Sequence, residues 1–423
     1  MSGRAEAKNI QKRVELLYIF EIDCTLTAQR ILNMLNRNIC LTICVLLSVV
    51  TSCQKKENTT NSEQPQLEWK AIADKLIKQS NLQSGEHVLL VAAPERFDSL
   101  VSILENKISR EGAVFLGTIS VDSANQPQAW ETDFVRDTRG KSRSDLADMF
   151  AEIDLGIMLP GATPDDVAYA ALQDVLKMGR ARTIHFHWSG AYDMSGQPIE
   201  VDAQMEKLYQ SVLLETKYDT LAALQRRFEK AIRTSDVLVT TPAGTNITFK
   251  IGDRQVTKQD GDASLAHTQD AKNLIDREVE LPAGAIRVAP IEETVNGTIA
   301  FPDGMWNGQK VEGLVLAFKK GKVTSITAKT GQDAVKAELD AAGDAGYSFR
   351  ELAVGFNPLL AIPKEKPWIP YYGYGAGIVR LSLGDNSELG GKVKGDYVRW
   401  NFFVDATLTV GNDIWIRDGV LLQ

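Results

Sequence analysis

Between Leu67 and Trp188, strand-like apolar runs alternate with amphipathic helical stretches, and this alternation restricts the fold more than any other feature of the chain. LEWKAIADKLI carries apolar residues at helical spacing and leads past Gly85 into HVLLVAA. FDSLVSILENKI repeats the helical spacing and leads past Gly112 into AVFLGTISV. Strand, helix and strand joined by short connections form a βαβ unit, the building block of a parallel sheet. A further cycle runs through SDLADMFAEI, DLGIMLP, DDVAYAALQDVLKM and RTIHFHW. A long helical region from Asp202 to Thr234 follows. Residues 66–235 are therefore expected to be a doubly wound α/β domain.

At Val237 the pattern changes to short strands broken by Gly, Pro, Asn and Asp: VLVTTPAGTNITFKI, AIRVAPIEETVNGTIAF, VEGLVLAF and KVTSITAKT. That is the signature of a mostly antiparallel arrangement. The expected fold class is thus α/β, with a β-rich α+β domain over residues 236–423 and a boundary near Ser235. No repeat at 20–50-residue spacing is visible, which argues against solenoids and propellers.

Ahead of these domains, Ile39–Val50 is an apolar run of 12 residues, short for a bilayer span and suited to a signal h-region, with Arg37 just before it. Val50-Thr51-Ser52-Cys53 follows and resembles the bacterial lipobox, which implies lipidation of Cys53. Residues 1–53 are expected to be a leader with its true start at Met34, and residues 54–65 a polar tether. The expected location is the bacterial cell envelope, lipid-anchored at the outer membrane or cell surface. All four cysteines (Cys24, Cys40, Cys44, Cys53) lie in the leader, so the body must be held by packing without disulfides. Loss of the leader removes six basic and four acidic residues, taking the net charge from −8 to −10. An acidic body without a basic cluster argues against a nucleic-acid partner.

Arg350–Val410 is the densest segment: RELAVGFNPLL, then PYYGYGAGIVRLSLGDNSELGG, then YVRWNFFVDATLTV. Glycines among aromatics point to close backbone approach and a shaped pocket. Glu351, Arg380 and Arg399 each interrupt an apolar alternation, and a charge placed there needs a partner or a ligand. His185 and His187, two apart on a strand, project from one face and suit either packing or metal ligation, with packing the stronger reading. No Walker, G-x-S-x-G or HExxH pattern is present, and Gly373, Gly375 and Gly377 lack the strand-to-helix context of a dinucleotide fingerprint.

TPAGTNITF, LPAGAIRVAPIEETVNGTIAF, VEGLVLAFKKGKV, RELAVGFNP, VRLSLGDN and VRWNFFVDATLTV, in that order, resemble the aminopeptidase T family of dinuclear metallo-aminopeptidases. KQSNLQSGEHVLLVAA extends the resemblance into the first domain, so that it covers about residues 66–423. The resemblance implies an α/β domain, a β-rich domain holding two divalent metals, and a homodimer. It also implies metal ligands that are missing here. Ala285 stands where the family has Glu, Arg380 where it has His, Ser387 where it has Tyr, and Arg399-Trp400-Asn401 where it has His-x-Asp. Only Glu351 is kept. A guanidinium cannot coordinate a cation, so no cofactor is expected. In its place we expect a positive, aromatic-lined cleft: Glu351 as the one candidate catalytic group, beside Arg350, with Tyr371, Tyr374, Arg380, Arg399 and Asn401 as ligand-binding residues near Tyr372 and Trp400. Glu351 is also expected to pair with Arg380 or Arg399. Arginine forks suit carboxylates and phosphates, so a peptide or small anionic ligand is expected. An active peptide hydrolase with a rebuilt site and a purely structural lipoprotein are the alternatives.

Replacing Cys53 by Ser should move the protein from the membrane fraction to the soluble fraction. A variant that stays membrane-bound, with a wild type that carries no lipid by mass spectrometry, would refute the anchor.

Overall fold

The computed structural model describes residues 67–122, 124–269 and 271–422; the leader, Cys53 and the tether lie outside them. The first half begins with helix α1 (Trp69–Ser80), strand β1 (His87–Ala92), helix α2 (Asp98–Arg110) and strand β2 (Val114–Ser120). Strand β3 (Leu155–Met158), helix α3 (Val167–Lys177) and strand β4 (Arg182–Phe186) follow. α1 ends where Asn81 takes a left-handed conformation (φ 46°) and its N–H closes on Ile77 and Lys78 carbonyls. The Asp202–Thr234 stretch forms two helices, α4 (Ala203–Glu215) and α5 (Tyr218–Thr234), not one. The break falls at Thr216, whose hydroxyl bonds back to the Val212 carbonyl while the backbone turns extended.

Strands β5 (Thr257–Lys258) and β6 (Glu278–Leu281) come next, and β6 crosses back to the first sheet. The resulting order, β6-β4-β3-β1-β2, is parallel throughout. Its central strands β1 and β3 read as apolar runs because helices cover both faces. Val88, Leu90, Ile157, Ile184 and Phe186 pack on one side with Leu76 of α1 and Leu104 of α2. Leu89, Val91 and Met158 pack on the other with Leu172 and Val175 of α3.

Two antiparallel sheets build the second half. The larger, eight-stranded sheet pairs Val237–Thr240 centrally with Asn246–Phe249 and Thr407–Val410. The smaller holds the central strands β7 (Ala285–Val288), β8 (Phe349–Gly355) and β9 (Val379–Gly384). β5 pairs at its outer side with β7, and β10 (Val398–Arg399) and β11 (Phe402–Phe403) pair with β9. The glycines of this region serve close approach: a Cβ on Gly355 would sit 2.0 Å from the Gly375 carbonyl oxygen. Among the described residues no helix is long and apolar enough to cross a membrane.

A buried ion pair fastens the parallel sheet to its surroundings. Arg182, at the start of β4, holds Glu86 through both Nη atoms (2.8 and 2.9 Å) and donates to the Ala263 and Ser80 carbonyls. Both side chains are almost wholly buried. Glu86→Gln should therefore lower unfolding free energy by about 3–5 kcal/mol, because it strands a buried guanidinium. A denaturant melt shifted by less than about 1 kcal/mol, the range of exposed pairs, would mean that the pair is solvated.

Candidate functional site

Cross-strand parity assembles the charged centre. In the β7–β8–β9 sheet Arg287 lies opposite Ala353, Ala353 lies opposite Arg380, and Glu351 lies opposite Ser382. Residues two apart on a strand share a face, so Glu351 is the diagonal neighbour of both arginines. Arg287 Nε donates to Glu351 Oε2 at 3.1 Å, and Ser382 Oγ donates to Glu351 Oε1 at 3.2 Å. Arg380 Nη2 stands 3.1 Å from Glu351 Oε1, an ion pair whose N–H is poorly aligned on the oxygen. A register shift between Phe349 and Glu351 turns Arg350 inward as well, with its Nε 3.8 Å from Glu351.

Glu351 is completely buried (0 % exposed). Burial alone would push its carboxyl up, but Arg287, Arg380 and Arg350 outweigh this and hold it well below the usual carboxylate range. Glu388, on a single turn of 3₁₀ helix at Ser387–Leu389, accepts from both Arg287 and Arg350. It is partly open to solvent, unlike Glu351. Arg380 also donates to the Tyr372 carbonyl at 3.0 Å and stacks 4.6 Å from the Trp400 ring.

Of the residues anticipated from the sequence, the structure brings together Glu351, Arg350 and Arg380, with Tyr372 and Trp400 at their edge. Arg399 does not join them. Register sets it opposite Leu383, on the other face of β9 from Arg380, where it pairs with Glu338 at 2.8 Å and stacks on Trp306. The expected Glu351 partner is thus Arg380, with Arg287 in the place given to Arg399. Asn401 binds the Arg399 side chain and the Leu381 carbonyl. Tyr371 is buried with no hydrogen-bond partner for its hydroxyl among the described residues, and Tyr374 donates to Glu280. The cavity that touches Arg399, Trp400 and Asn401 holds about 20 Å³, room for one water.

Arg287 and Glu388 were not singled out from the sequence. Arg287 carries the same mark as Glu351, a lone charge inside an apolar strand (AIRVA). Glu388 carries none, because a carboxylate in a turn is ordinary. A second cluster was also missed in part. His185 Nδ1 meets the Tyr169 hydroxyl at 2.9 Å, its Nε2 meets Thr183 Oγ1 at 3.1 Å, and Glu278 stands 3.7 Å away. Burial, then the nearby His187 ring, pushes His185 well below its usual value, so it is neutral. Burial pushes the Glu278 carboxyl up to about 8, against the opposing hydrogen bond from Gln173.

The two divalent ions implied by the resemblance do not fit these residues. Ala285 offers no donor atom, and the retained carboxylate is enclosed by three guanidiniums that have no lone pair to give. Among the described residues no three His, Cys, Asp or Glu side chains converge as a ligand set.

Two opposite pH dependences follow. Glu351 titrates lower folded than unfolded, so its contribution is present above about pH 4.3 and is lost as pH falls through the depressed folded value. Glu278 titrates higher folded, so between about pH 4.3 and 8 the folded state holds an extra proton and stability falls as pH rises. Glu351→Gln should cost about 3–5 kcal/mol at pH 7. Glu278→Gln should stabilise at pH 8 and act little at pH 5. Denaturant melts across that range decide both, and equal effects of Glu278→Gln at the two pH values would contradict the assignment.

The profile of the family described as thermophilic metalloprotease (M29) matches residues 191–357. No curated protein matches the chain. Among solved structures, wild-type AmpT from Thermus thermophilus aligns with a TM-score of 0.54 at 16 % identity, over 84 % of this chain and 99 % of that one. 2,5-Dihydroxypyridine dioxygenase from Pseudomonas putida KT2440 aligns with a TM-score of 0.56 at 14 % identity, over 84 % and 96 %. These likenesses show that the fold extends across both halves, and within it the segment 191–357 is similar to the thermophilic metalloprotease (M29) family.

Proposed function

We propose that this protein is an exported, lipid-anchored member of the aminopeptidase T family that binds a peptide or small anionic ligand instead of hydrolysing peptides through metal ions. The observation that carries this reading is Glu351, the family carboxylate still in place, buried among Arg287, Arg350 and Arg380. Three guanidiniums face two carboxylates, and one of these, Glu388, is half-open to solvent. An incoming carboxylate can compete with Glu388 for the outer edges of Arg287 and Arg350, where the arginine fork recognises it bidentately. Tyr372 and Trp400 beside Arg380 supply apolar walls for the rest of such a ligand.

The second reading, hydrolysis by a rebuilt site, is favoured by Glu278. A buried carboxyl kept protonated near neutral pH, beside a neutral His185, is suited to general acid work.

Purified mature protein should contain no stoichiometric zinc, cobalt or manganese, and its thermal midpoint should rise with dialanine in millimolar excess. Glu388→Gln should increase that rise, because the internal competitor has lost its charge. Two metals per chain by elemental analysis would overturn the metal-free reading. A midpoint unmoved by dialanine in wild type and variant alike would overturn the ligand.

A further inference from the structure

We infer that the α/β half carries a separate small-molecule site, at the carboxyl ends of its parallel strands, for an organic ammonium ion with an apolar body. The argument starts from topology. In the order β6-β4-β3-β1-β2, the chain leaves β1 for β2 on one side and then returns across β1 to β3 on the other. The loops after β1 and β3 therefore part in opposite directions, and open α/β sheets bind ligands in the crevice that this reversal creates. A cavity of about 450 Å³ lies there. Ala93 and Pro94 after β1, Pro160 and Gly161 after β3, and Trp188 after β4 line it. Gly161 (φ +98°) lets the two parting loops touch, since a Cβ there would sit 2.4 Å from Ala93 Cβ.

The chemistry of the walls selects the ligand. Phe97 and Trp188 meet edge to face at 6.2 Å and give the cavity an aromatic wall, with Val201 adding apolar surface. The charged groups that line it are Arg96, Glu200 and Glu206. Glu206 is almost fully buried and holds Arg96 through both Nη atoms, so these two charges cancel. Glu200 is exposed at the edge of the cavity, and none of the ion pairs described above involves it. One uncompensated carboxylate beside aromatic faces favours a cation with an apolar body, held by charge and by the ring quadrupoles. This site is distinct from the arginine centre, although Ser189, which also lines it, touches Tyr372 (Oγ to hydroxyl, 3.0 Å).

The test uses three probes with one phenyl body and different charge: phenethylammonium, 2-phenylethanol and phenylacetate, titrated calorimetrically into the mature protein. Phenethylammonium should bind at least about tenfold more tightly than phenylacetate, with the alcohol between them. Glu200→Lys, an exposed change that leaves the melting temperature in place, should weaken phenethylammonium by at least about tenfold. Phenylacetate binding as well as the ammonium would overturn the charge assignment. An unchanged affinity in Glu200→Lys, or no binding of any probe at millimolar concentration, would overturn the site.

Discussion

Glu351 sits with no solvent contact among three guanidiniums, and the β7–β8–β9 sheet is organised by the need to keep it there. A lone buried carboxylate would take up a proton and a lone buried guanidinium would be expelled. Together they are tolerated, because each arginine has a second acceptor. Arg287 and Arg350 reach Glu388, and Arg380 reaches the Tyr372 carbonyl. Removing any one partner leaves the others facing an uncompensated charge, so the group behaves as a unit rather than as separate pairs.

This arrangement and a dinuclear metal centre are mutually exclusive uses of the same sheet. A metal pair concentrates positive charge at one point and needs a shell of carboxylate and imidazole lone pairs around it. Here the positive charge is carried by side chains and the carboxylate stands at the centre, so the polarity of the site is inverted. A single substitution such as Arg380→His would still leave two guanidiniums against an incoming ion, and the Coulomb repulsion between like charges a few ångströms apart opposes loading.

The fold was legible wherever periodicity was strong. β1, α2, β2 and α3 follow their apolar spacing to within about two residues, because helices and strands covered on one or both faces must keep that spacing. The Thr216 break was not, since it depends on one hydroxyl turning back on the backbone. Nor was β6, whose residues EVEL alternate like an edge strand yet complete a parallel sheet formed more than 90 residues earlier. At the site, lone charges in apolar runs marked Glu351, Arg380 and Arg399, of which Glu351 and Arg380 meet, and the same signal marks Arg287. The failure at Arg399 is one of parity. Strand β10 is two residues long, and nothing local in YVRWN says which of two neighbouring polar residues turns toward β8. Glu388 shows the complementary limit, for its role is set by what lies across from it in space.

β6 also explains how the two halves of the fold act on one site. It leaves the parallel sheet at Leu281 and enters β7 at Ala285, so Glu280 and Arg287 are only seven residues apart yet belong to different sheets. Glu280 accepts from Tyr374, and Tyr372 touches Ser189 beyond β4 while its carbonyl holds Arg380. Both tyrosines come from the glycine-rich turn, in which Tyr371 and Tyr372 take left-handed backbone angles that cost a non-glycine residue free energy. That cost is offset by what the turn reaches: one end caps the strand ends of the α/β half and the other supports the arginine centre. A shift of the α/β strand ends relative to β9 would have to break the Ser189–Tyr372 contact or move Arg380 off Glu351, so the turn ties the position of the strand ends to that of the buried carboxylate.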